Sequence, residues 1–180
     1  MSDVFLERDF PQALTVADVG DMVKTSGWCF DLYRVAWRGS HLSNDGHRMI
    51  CWFDGPDAES ARQALRKANV DMQVVWPGTV HDAPGVDDAR AATANVLVER
   101  AFAEPVTLES IQEIEDAAVG CLAAHHVEFL RTFFSRDRRR MVCLYRAPDA
   151  ESVRIAQRQA GMPFERIWSF RRIDLAHPQG

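Results

Sequence analysis

The sequence has no long apolar run, no cysteine framework and no excess of positive charge, and each absence removes a class of function. No stretch approaches the roughly 18 apolar residues of a membrane span. Met1-Ser2-Asp3-Val4-Phe5-Leu6-Glu7-Arg8 brings charge in too early for a signal peptide, so a cytoplasmic protein with no membrane partner is expected. Cys29, Cys51, Cys121 and Cys143 are widely spaced without a Cys-x-x-Cys pair, which reads as reduced thiols. With 21 Lys and Arg against 26 Asp and Glu, the net charge of −5 argues against an electrostatic grip on nucleic acid. A Gly-rich phosphate loop, a His-Glu-x-x-His helix and a Ser-His-Asp arrangement are all missing as well.

What the chain does contain is a copy of itself. Val4-Phe5-Leu6-Glu7-Arg8 returns as Val96-Leu97-Val98-Glu99-Arg100, and Pro56-Asp57-Ala58-Glu59-Ser60 returns unchanged at Pro148-Asp149-Ala150-Glu151-Ser152, both at an offset of 92. Held without a gap over positions 4–82, that offset gives 23 identities in 79, too many for chance. The 180 residues therefore divide into a repeat over 1–82, a linker over 83–95 and a second repeat over 96–180.

Each repeat reads as β-α-β-β-α-β. A β-prone run opens it, and Thr15 or Thr107 caps a helix of about 18 residues. In the second repeat Leu108, Ile111, Ile114, Ala118, Cys121 and Leu122 recur at threes and fours and mark that helix's apolar face. Strands follow over 35–41 and 127–134, and again over 49–53 and 141–145, with polar hairpins between. Asp57 and Asp149 cap the second helices, and the last strands hold Trp76 and Trp168. The fold class is α+β: two ferredoxin-like βαββαβ repeats, expected to pack as a pseudo-two-fold pair of the dimeric α/β-barrel type because each sheet would otherwise bare one apolar face.

The candidate ligand-binding residues are Glu7, Glu99, Cys51, Cys143, Trp37 and Phe129, expected to line a cavity between the two sheets. If both glutamates point there, burial and like charge raise at least one carboxyl and make acid-base chemistry available. The plainer alternative pairs each with an arginine on a neighbouring strand. Cys51 and Cys143 could bind a soft metal or act as nucleophiles if a base or cation lowered their pKa, but mid-strand thiols more often serve as small core residues. None of His41, His47, His81, His125, His126 and His177 is repeated at the offset, so no symmetric histidine site exists; His125-His126 suits a helix end, and His41 and His47 flank one hairpin where a metal could sit. The basic run Arg136 to Arg140 reads as a solvated hairpin, because Met141-Val142-Cys143-Leu144-Tyr145 lacks the paired aromatics of an RNA-binding strand.

Arg140-Met-Val-Cys-Leu-Tyr-Arg-Ala-Pro-Asp149-Ala-Glu-Ser-Val-Arg154, followed by Gly161-Met-Pro-Phe-Glu-Arg-Ile167, resembles a family of small bacterial nickel-binding ferredoxin-like proteins once catalogued as a domain of unknown function. Val96 to Arg100 and Val4 to Arg8 are similar to its first strand, so the chain looks like a tandem duplication of that family. The resemblance implies the ferredoxin-like fold and face-to-face pairing of the two sheets; the cofactor stays unassigned, with a divalent metal as the candidate. Where it implies histidines on the second strand and second helix, however, this sequence has Gly39 and Arg131, and Ala64 and Ala156. No metal ligand is carried over. The expected function is a non-enzymatic small-ligand or metal-binding protein. The alternatives are a cofactor-free enzyme of the dimeric α/β-barrel type, a monooxygenase or isomerase using a cavity glutamate, and a structural or interaction module. Further homodimerisation stays open.

Overall fold

The structure is a computed structural model, and it describes residues 1–174; His177 lies outside the described residues. The chain runs β1 (Ser2–Asp9), α1 (Val16–Leu32), β2 (Ala36–Ser43), β3 (Arg48–Gly55), α2 (Ala58–Lys67), β4 (Val74–Asp82), α3 (Asp88–Ala91), β5 (Val96–Ala101), α4 (Leu108–Ala124), β6 (Glu128–Ser135), β7 (Arg140–Arg146), α5 (Ala150–Gln159) and β8 (Arg166–Ile173). The duplicated βαββαβ order is present, and the fold class is α+β. Among the described residues no helix is long and apolar enough to cross a membrane.

The caps that the sequence offers are used. Thr15 Oγ1 accepts from the Asp18 amide at 3.2 Å while Asp18 accepts from the Thr15 amide at 2.7 Å, closing a reciprocal box at the start of α1. Thr107 and Ser110 repeat the box at α4. Asp57 and Asp149 each accept an amide at 2.7 Å to open α2 and α5. At the β2–β3 turn Gly46 takes φ +77°, where its missing Cβ leaves room for the Leu14 carbonyl.

The described residues form two compact units, Met1–Thr79 together with Phe170–Asp174, and Val80–Ser169. Both boundaries fall inside strands, β4 and β8, so the units do not coincide with the repeats. In the first unit the strand order is β4, β1, β3, β2 and then the last residues of β8, with Ser40 opposite Ile173 and Ser43 opposite Phe170. In the second it is the first half of β8, then β5, β7 and β6, with Val96 opposite both Ser169 and Tyr145. All these pairings are antiparallel, and each repeat carries the ferredoxin-like order.

Strand alternation sorts the side chains. In the first unit Val4, Leu6, Met49, Cys51 and Phe53 turn toward the helices and pack with Val19, Phe30, Ala61, Ala64 and Leu65. In the second, Val96, Val98, Met141, Cys143 and Tyr145 pack with Ile111, Ala118, Leu122, Val153 and Ala156. The buried face of α4 is Ile111, Glu115, Ala118 and Leu122, whereas Ile114 is partly exposed and Cys121 only half-buried. The expected stripe was therefore too wide, and it passed over a glutamate.

Candidate functional site

The six residues predicted as one ligand set do not share a face of the sheet. Register decides this: Leu6 stands opposite Cys51 and Glu7 opposite Ile50, so Cys51 points toward the helices and Glu7 away from them. Val98 opposite Cys143 and Glu99 opposite Val142 repeat the arrangement. Trp37 and Phe129 also lie on the helix side, packed against the two cores.

Away from the helices, Glu7 accepts a hydrogen bond from Trp76 Nε1 at 2.7 Å, and Glu99 accepts one from Trp168 Nε1 at 2.6 Å. Glu99 is further paired with Arg166 of the neighbouring strand at 2.9 Å, the plainer arrangement that the sequence left open. On the helix side, Trp37 Nε1 donates to Ser40 Oγ at 3.0 Å, and Ser40 Oγ donates to Cys51 Sγ at 3.1 Å. Burial pushes the Cys51 thiol up to about 11, against the Ser40 hydrogen bond and the Arg8 charge, and burial likewise raises Cys143. In both cases burial favours the neutral thiol over the thiolate.

The histidines do not converge either. His41 is buried with its ring edge-on to Phe170 at 4.9 Å, while His47 Nδ1 lies 2.8 Å from the Phe10 carbonyl at the surface. His125 caps α4 and bonds Gln159 at 2.8 Å.

The second unit holds a site that the sequence reading missed. Between α4 and the sheet lies a cavity of about 190 Å³. Leu108, Ile111, Gln112 and Glu115 of α4 form one wall, Phe129, Thr132 and Met141 the opposite one, and His81 and Asp82 at the end of β4 close it. Glu115 is 6% exposed, and its Oε1 is buried without a hydrogen bond. Burial pushes its carboxyl up to about 7; the Arg100 charge opposes the rise and Asp116 adds to it.

Behind Glu115, the buried Arg100 guanidinium donates to the Pro163 carbonyl, to Tyr145 Oη at 3.2 Å and to Gln157 Oε1 at 2.6 Å. Its Nε is buried without a partner. Beside it, Thr132 Oγ1 donates to Cys143 Sγ at 3.3 Å. At the cavity edge Arg131 is buried and doubly paired, at 2.5 Å to Asp82 and 2.6 Å to Asp88. The signals for this cluster were a charged residue on the buried face of α4 and Gln157 on that of α5, where the first repeat has Val23 and Leu65 at the offset of 92.

The fold and this geometry can be set beside known proteins. Residues 5–77 and 97–169 each match the family described as Nickel responsive protein SCO4226-like. The chain belongs to that family. It carries two copies of the family unit in tandem. Its fold resembles the crystal structure of the putative chlorite dismutase TA0507, with a TM-score of 0.55 and 13% identity over 99% of this chain and 97% of that one. An anthrone oxidase-like protein aligns at a TM-score of 0.45 and 11% identity, covering 96% of this chain and 91% of that one. A putative monooxygenase from Lactobacillus acidophilus aligns at 0.44 and 8%, covering 96% and 94%. No curated protein matches the sequence.

The residues present do not fit nickel. The positions where the resemblance implies histidines hold Gly39, Ala64 and Ala156, which have no donor, and Arg131, a cation committed to two carboxylates. Among the described residues no group of three or more His, Cys, Asp and Glu side chains is placed to hold a metal ion.

Proposed function

We propose that this family member is a small-ligand-binding protein whose site is the cavity under α4 of the second repeat, and that it binds without a resident metal. The observation that carries the reading is the unpaired buried oxygen of Glu115 at the wall of a 190 Å³ cavity. A buried carboxylate oxygen without a donor costs folding free energy, so its retention makes sense where a ligand supplies the missing partner. The lining divides about evenly between apolar side chains (Leu108, Ile111, Phe129 and Met141) and polar ones able to orient an occupant (His81, Asp82, Gln112, Glu115 and Thr132). A cavity that contains benzene is about 150 Å³, so this one has room for a molecule of one ring or a short branched chain.

The test is ligand-observed NMR with small fragments on the intact protein, with Gln112→Trp as the control. Gln112 is exposed at the lip, so an indole there blocks entry while leaving the core alone. Binders lost in Gln112→Trp support the site, and binders that persist overturn it. Elemental analysis of the same protein is expected to find nickel well below one atom per chain; stoichiometric nickel overturns the metal-free reading.

One observation favours a second reading, the cofactor-free enzyme. A glutamic acid whose carboxyl titrates near 7 inside a cavity is suited to general acid-base work at neutral pH. Under that reading Glu115 is the acid or base, in place of the Glu7 and Glu99 that the sequence suggested.

A further inference from the structure

We infer that the cavity takes a small organic amine in its ammonium form, held on the Glu115 carboxylate. The inference rests on the reading of the cavity as a ligand site and names its ligand class. It begins with what the walls can offer. The Glu115 Oε1 is an acceptor without a donor. The Thr132 hydroxyl spends its proton on Cys143 and turns an oxygen lone pair to other partners. One of the two Gln112 amide N–H groups is spent on Asp116 at 2.8 Å, and the amide oxygen stays an acceptor. The polar wall therefore asks for a ligand that donates several hydrogen bonds, as an ammonium does.

Charge points the same way. Among the described residues no lysine or arginine side chain lines the cavity. The cations nearby lie outside the lining: Arg131 pairs with Asp82 and Asp88, and Arg100 binds the Pro163 carbonyl, Tyr145 and Gln157 and keeps only its Nε without a partner. An anionic ligand would find no cation at the wall and a carboxyl facing it. A cationic ligand finds a carboxylate for its charge, the Phe129 ring as a cation-accepting face, and Leu108, Ile111 and Met141 for its hydrocarbon.

The groups that face Glu115 set a proton linkage. On α4 its neighbour is Asp116, from β5 comes the Arg100 charge, from β7 the neutral Cys143 and Tyr145, and at the end of β4 lie His81 and the arginine-paired Asp82. With the cavity empty, the carboxyl holds its proton up to about pH 7, because the buried anion lacks a compensating partner. An ammonium supplies that partner. Binding therefore ionises Glu115: the carboxyl proton leaves to solvent, the ammonium keeps its own, and no covalent bond is made or broken.

Isothermal titration with benzylamine, at pH 6 and pH 8 and in two buffers of different ionisation enthalpy, tests this. Benzyl alcohol serves as the neutral probe of the same size. Benzylamine is expected to bind about tenfold more tightly at pH 8 than at pH 6 and to release close to one proton per ligand at the lower pH. Glu115→Gln, nearly the same shape without the charge, is expected to lose benzylamine and keep benzyl alcohol, which also shows that the variant is folded. If the wild type binds benzyl alcohol but not benzylamine, or if Glu115→Gln binds benzylamine as before, the amine assignment falls and the ligand site stands. If neither probe binds the wild type, the site itself falls.

Discussion

Two helix-to-sheet interfaces built from the same template differ in what they bury. Both keep an arginine on the first strand (Arg8, Arg100), a cysteine and a methionine on the third (Cys51 and Met49, Cys143 and Met141), and a hydroxyl on the second (Ser40, Thr132). The first unit surrounds them with Val23, Phe53, Leu65 and, from β8 of the second repeat, Ile173, and leaves a void of about 40 Å³ among them. The second unit places Glu115, Tyr145, Gln157 and, from β4 of the first repeat, His81 at the corresponding positions and opens about 190 Å³. Duplication let one copy keep an ordinary core while the other took on buried polar groups, which cost stability and so are tolerated most readily where they do something.

The largest effect is expected at the paired arginines. Arg100→Met leaves the Gln157 oxygen, the Pro163 carbonyl and the Tyr145 hydroxyl without their donor, and should cost about 3 kcal/mol in urea unfolding. Arg8, only half-buried and set 4.7 Å over the Phe10 ring, should lose no more than about 1 kcal/mol in Arg8→Met. Equal losses would erase the contrast between the two interfaces.

Next comes transplantation of the first repeat's residues. Tyr145→Phe with Gln157→Leu leaves Arg100 buried with a main-chain partner alone, at a cost of about 2 kcal/mol. Adding Arg100→Met should recover part of that loss, because the cation and its partners stabilise or destabilise as a set. Strict additivity of the three changes would show that they do not form one network.

Glu115→Val, which installs the residue of the first repeat, is expected to stabilise by about 2 kcal/mol at pH 8 and by much less at pH 4. The native carboxyl is raised to about 7, so between pH 4.5 and 7 the unfolded chain gives up its proton while the folded one retains it. Wild-type stability falls with rising pH across that window and levels off above it. The valine variant should lack the fall. A constant difference across the pH range would place the burial effect elsewhere.

The smallest effect lies where the repeats are alike. Glu59 pairs with Arg62 on α2 and, at the equivalent positions, Glu151 with Arg154 on α5, both partly in solvent. Glu59→Gln and Glu151→Gln should each cost less than about 0.5 kcal/mol and should match each other.

The architecture was legible because its signals are local and appear twice. Thr15 and Thr107, and Asp57 and Asp149, mark helix starts by what their own side chains reach within three residues, and an ungapped offset of 92 makes each copy confirm the other. The candidate site was less legible. Mid-strand cysteines and first-strand glutamates stood out by type, but alternation alone does not say which face meets the helices. Pairing Leu6 with Cys51 and Glu7 with Ile50 separates them. Glu115 went unremarked because a helix stripe tolerates one polar residue in sequence, and only packing shows whether it reaches water.

The sequence by itself determined the duplication, the βαββαβ order and family membership, since these rest on periodicity and on caps that act over a few residues. It also determined that the histidine positions implied by the resemblance carry none. Tertiary structure alone decided which polar groups are dry. Desolvation is a property of everything packed around an atom, so the neutral thiols of Cys51 and Cys143, the cation of Arg100 behind the cavity and the raised carboxyl of Glu115 exist only once strands and helices from distant parts of the chain have closed over them.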